Sequence, residues 1–218
     1  MNAQPPAMRI KNRWFSGDGT PVRKSAAEQA SAMAFIVWRV AVNMVKRMRA
    51  ADFDVDAGAP YLAFVREVLV FLAAVADRIA DQRLSAEDRA QFLVALVHHL
   101  ARHLQENADE LLGPAPAGEA SHAERFIDLF NELCGHYAEF GADPRAADPE
   151  AGFEPDFAFV RYLGVRLEPA LPEAHRRWVL DQVMVIEAPE AVATVQRSMN
   201  ELFEPGPRRA RRSVLSGD

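Results

Sequence analysis

Three Ser-x-x-acid boxes, Ser25 with Glu28, Ser85 with Asp88 and Ser121 with Glu124, each precede a run of apolar residues with helical spacing. A serine oxygen can accept the orphan amide three residues on, and an acid at that third position strengthens the start signal. No stretch shows persuasive apolar/polar alternation between turn signals, the pattern of a half-buried strand. The chain is thereby directed to an all-α fold, a bundle of about six or seven helices.

Spacing and breakers divide these helices. The first box opens a helix whose apolar residues from Met33 to Met48 leave only a narrow stripe at Arg39, Asn43, Lys46 and Ala50. Its last turns hold Lys46, Arg47 and Arg49, which suit the negative end of the helix dipole. Pro60 opens a second helix through about Arg83, with Leu62, Val65, Leu69, Leu72 and Ile79 on one face. A third runs from the Ser85 cap to about Leu112, where Gly113 and Pro114 stop it. The short link to Ser121 turns the fourth helix back antiparallel, with Phe126, Leu129, Phe130, Leu133, Tyr137 and Phe140 on its core face. Beyond the Pro- and Gly-rich stretch Gly141 to Pro155 come a short apolar segment, Phe157 to Leu167, and two helices, Pro172 to Glu187 and Pro189 to Phe203. The organisation expected is an irregular arm over 1–24, a four-helix bundle over 25–141 and a linker over 142–155. A helical extension over 156–204 packs on the bundle, and a disordered basic tail follows over 205–218.

The 218 residues are enough to bury about 70% of the unfolded surface without disulfide staples, and the single cysteine, Cys134, asks for no oxidising compartment. The longest wholly apolar run, Val68 to Ala76, is nine residues against the roughly 20 that cross a bilayer, and no signal-peptide pattern is present. A cytoplasmic protein without a membrane span is the expectation. Charge is uneven: residues 1–49 hold nine Lys or Arg against two acids, residues 50–204 hold 12 against 28, and residues 205–218 hold four against one. Basic ends on an acidic body suit docking of the ends on the chain itself or on a second copy at least as well as contact with an acidic partner.

Trp14 and Phe15, flanked by Arg9, Lys11 and Arg13, could stack bases, although anchoring the arm to the bundle is the simpler role. The tail cations Arg208, Arg209, Arg211 and Arg212 could meet phosphate or an acidic protein surface, but four charges support only weak, salt-sensitive binding. Nucleic acid is therefore disfavoured as a partner. Phosphate loops, dinucleotide fingerprints, paired zinc cysteines, His-Glu-x-x-His and nucleophile elbows are missing from the sequence.

One constellation has metal-site spacing. His99 and His103 are four apart on the third helix, and Glu132 and His136 are four apart on the fourth, so each pair shares a helical face. In an antiparallel hairpin the pairs fall at similar heights: His103 and Glu132 lie roughly 14 and 17 Å from the connection, His99 and His136 roughly 20 and 23 Å. Imidazole and carboxylate ligands of this kind would suit one divalent metal ion. Both pairs also border the apolar stripes, where a histidine ordinarily serves as an edge residue, and turning them inward would carry Leu93, Val97 and Leu104 toward water.

Two functions follow. The first is a non-enzymatic regulatory, adaptor or assembly factor without a cofactor, acting on an unidentified protein partner and forming a homodimer through the very apolar first helix. The second is a metal-binding bundle protein with oxidative or hydrolytic chemistry at His99, His103, Glu132 and His136.

Overall fold

The computed structural model describes residues 25–141 and 152–203. The fold is an all-α bundle with no strand among the described residues. Among the described residues seven α-helical segments follow in order: α1 (Ala26–Ala50), α2 (Ala59–Asp81), α3 (Ala86–Leu112), α4 (His122–Glu139), α5 (Phe157–Leu167), α6 (Glu173–Gln182) and α7 (Ala188–Phe203). A 3₁₀ turn, Glu168–Ala170, follows α5, and a π-helical turn, Val183–Glu187, fuses α6 to α7 as one rod.

The serine boxes act as local chemistry requires. Ser25, Ser85 and Ser121 accept the amides of Glu28, Asp88 and Glu124, and the acids of the first and third boxes reach back to the cap amide. Pro60 lies in the first turn of α2, where its missing N–H leaves no bond unmade.

The central element is α2. It packs against α1, α3, α4, α5 and α7, and every residue from Val68 to Ala76 is buried. Burial on all sides replaces the single core face expected from its spacing, because neighbours close around it completely. The helix is long and apolar enough to cross a membrane by length and composition, and 72% of its most apolar window is covered by the rest of the fold.

Helix α1 corrects a second expectation. Met33, Val37, Val40, Ala41, Met44, Val45 and Met48 are buried by the chain's own α2, α3 and α7, so its apolar coat does not call for a second copy. Its solvent stripe does extend one turn beyond Arg39 to Phe35, which is 53% exposed and lies under the Arg39 guanidinium.

The third correction is the rod after Pro172. A helix break at Pro189 was expected, yet the rod continues, with Pro189 just past the π turn. In an α-helix the proline ring would meet the carbonyl four residues back, that of Val185. The wider π turn, in which the Ala188 amide bonds to the Val183 carbonyl, relaxes the ladder at that point.

Two Arg–Glu pairs and a shared apolar cluster join the C-terminal helices to α1–α4. Arg166 of α5 forks onto Glu67 of α2 at 2.8 and 3.0 Å, and Arg47 of α1 donates to Glu187 of the π turn at 2.8 Å. Arg78 of α2 closes the end of α4 by donating to the Tyr137, Ala138 and Phe140 carbonyls. The rings of Phe71, Tyr137, Phe153 and Phe159 then pack edge to face or tilted where α2, α4 and α5 meet.

Candidate functional site

The two histidine pairs lie against different neighbours. His103 is tilted against Trp38 of α1 with ring centroids 6.0 Å apart, and His99 Nδ1 accepts a hydrogen bond from Arg102 at 2.9 Å. His136 lies 5.8 Å from the Tyr162 ring of α5, and Glu132, exposed, contributes its charge near Tyr162 and Arg166. Burial lowers the pKa of His99 and of His103; Arg102 lowers both further, while Glu106 partly opposes the shift at His103. Both rings are thereby held toward the neutral form. Among the described residues no group of three or more His, Cys, Asp or Glu is placed to hold a metal ion. The matched heights derived from helical rise are a property of the axes alone; the ring contacts are His103 with Trp38 of α1 and His136 with Tyr162 of α5.

Trp14, Phe15, Arg208, Arg209, Arg211 and Arg212 lie outside the described residues, as do the arm 1–24, most of the stretch 142–155 and the tail 205–218.

The π turn creates a different surface. Glu187 is turned inward, its side chain 1% exposed, where Arg47 Nε and Gln182 Nε2 donate to its carboxylate at 2.8 and 3.3 Å. Arg47 also reaches Glu190 at 3.2 Å. With Glu187 anchored, the preceding Val185 and Ile186 face water, 74% and 48% exposed, and Trp178 on the same rod is 54% exposed. The Arg177 guanidinium covers part of the Trp178 ring at 4.6 Å.

Scattered apolar side chains are ordinary on a protein surface, but here three large ones are exposed within nine residues of one short rod. The exposed charges of α6 are Glu173, Arg176, Arg177 and Asp181, which cancel, and the exposed Glu190 at the start of α7 is paired with Arg47. The apolar residues went unnoticed in the sequence because a helix beginning at Pro189 leaves Val185 and Ile186 at an ordinary helix end. The signal available was Glu187 itself: an acid closing the apolar run Val183 to Ile186 asks for a buried base.

Comparison of the chain with protein-family models, with curated proteins and with solved structures gives no match.

Proposed function

We propose that this protein is a non-enzymatic helical interaction factor and that its partner at the outer face of α6 and the π turn is a second copy of the same chain. The observation that carries the reading is the exposure of Trp178, Val185 and Ile186 on one rod. Water contact with three such side chains is unfavourable by about 25 cal/mol for each Å² of apolar surface, and a protein contact removes it.

Charge selects the second copy as occupant. Two chains carrying net −6 repel each other over most of their surfaces, and the balanced charges of α6 form a patch where they can meet without that cost. Arg177 and Asp181, four apart and both exposed, also offer the self-complementary pairing that a two-fold interface needs. Three side chains are a small nucleus against the roughly 800 Å² per partner of a stable interface, so association is weak and concentration-dependent.

Sedimentation velocity across a wide concentration range tests this. Wild type should shift from monomer toward dimer at high micromolar concentration, and Val185→Glu/Ile186→Glu should remain monomeric while melting as a folded protein. A wild type that stays strictly monomeric, or a variant that dimerises equally well, overturns the reading.

A further inference from the structure

The first turns of α2 and α4 and the last turns of α3 enclose a cleft of about 270 Å³. Its apolar wall includes Ala63 of α2 and Ala108 and Leu112 of α3, small side chains that leave the space and one large one at the mouth. Among the described residues its charged and polar lining consists of Arg66, His122 and Arg125, without an Asp or Glu.

These three groups are not equivalent. Arg125 pairs with Glu119 at 2.5 Å, and His122 Nε2 lies 3.3 Å from the Gly113 carbonyl oxygen, which only a protonated ring nitrogen satisfies. Arg66 has no hydrogen bond or ion pair to a described residue, and its Nε is shut off from water. Arg47 also carries a buried unpaired nitrogen, but its other nitrogens hold Glu187 and Glu190. A half-buried guanidinium with neither partner nor full hydration is costly, and an acceptor removes that cost. The start of α2 adds to the local field: Gly58 supplies no side-chain cap, and the first turn holds no acid. The carboxyl end of α3 opposes it, so about one positive charge is left uncompensated.

We propose that this cleft binds a small carboxylate with a short apolar body, the carboxylate meeting the Arg66 guanidinium and the hydrocarbon lying on Ala63, Ala108 and Leu112. One uncompensated cation matches a monoanion better than a phosphate dianion, and the guanidinium fork fits two carboxylate oxygens. The volume lies just under the roughly 300–1,000 Å³ of pockets for drug-sized ligands, so the occupant is smaller than those. The site is separate from the outer face of α6, and neither proposal depends on the other.

Isothermal titration calorimetry on the full chain, with octanoate, 1-octanol and inorganic phosphate as separate probes, decides the matter. Octanoate should bind once per chain with a Kd at or below about 1 mM, as a charge-assisted pair and a few buried methylenes allow. Arg66→Gln should weaken it at least tenfold without lowering the melting temperature, because no internal partner is lost. Ala63→Leu, which keeps the charge and fills the cleft, should weaken it as well. The proposal is overturned by the absence of saturable octanoate binding, by equal binding of 1-octanol, by tighter binding of phosphate, or by binding indifferent to both substitutions.

Discussion

Glu187 lies almost wholly out of water and receives the Arg47 Nε–H at 2.8 Å, so an acid at the end of an apolar run and a base near the end of α1 belong to one contact. The pair ties the π turn to the bundle and holds Val185 and Ile186 on the outer side of the rod. Gln182 is the second donor to the same carboxylate, which leaves little of it unsatisfied.

Replacing Arg47 by Met is expected to lower the unfolding free energy by roughly 2–4 kcal/mol. Breaking a fully buried pair costs about 3–5 kcal/mol, and the Arg47 side chain retains 32% exposure, which softens the loss. Adding Glu187→Met should recover much of it, since no unpaired charge then remains inside. Urea denaturation of the single and double variants checks both statements, and equal stability of the two variants would contradict the second.

Gly164 faces Leu180 across the contact between α5 and α6: a methyl group built on Gly164 would stand 2.5 Å from Leu180 Cδ1. The atom met is the end of a flexible side chain, so Leu180 can move, and Gly164→Ala should cost only about 1 kcal/mol, the low end for overpacking. Leu180→Ala placed in the same chain should remove the clash. A double-mutant cycle showing no coupling between the two positions would refute this account.

Asp156 performs two tasks with two oxygens: Oδ1 accepts the Phe159 amide at 2.8 Å as the cap of α5, and Oδ2 accepts the Gly141 amide at 2.9 Å. Asp156→Ala should therefore cost more than the usual ~1 kcal/mol of a lost cap. Asp156→Asn keeps one acceptor oxygen and should fall between wild type and Ala. Thermal melts of the three chains give the order directly, and an Asn variant as weak as Ala would rule out the double role.

Histidine titration gives a pH signature of definite sign. The folded pKa of His103 is lowered, mainly by burial, so below its unfolded value near 6.5 the unfolded chain takes up the proton first. The stability associated with the neutral ring is fully present above pH ~6.5 and is lost as pH falls toward the folded pKa. His103→Gln should flatten the fall in melting temperature between pH 7.5 and 5 relative to wild type, as measured by circular dichroism. Identical pH profiles would show that His103 does not contribute.

Elements whose causes are local follow from residue order. Serine caps, the first-turn Pro60 and the Gly113 stop act within one turn of chain, so the all-α class and the starts of α1 to α4 were legible from residue order. The C-terminal rod was legible only in part, because a proline reads as a helix start unless something upstream widens the turn before it.

Which faces are covered and which groups meet depends instead on how the helices pack. Apolar content shows that α1 and α2 need neighbours but not whose side chains supply them, and here α7 returns from far along the chain to finish covering α1. The rotation of a helix about its own axis is likewise set by packing of its whole apolar stripe, worth about 1.5–3 kcal/mol for each large side chain buried, against which two border histidines weigh little. For that reason His103 rests on Trp38 and His136 near Tyr162, and the partners of Glu187, like the lack of one for Arg66 among the described residues, could be known only once α1, α2, α4 and the π turn were in place.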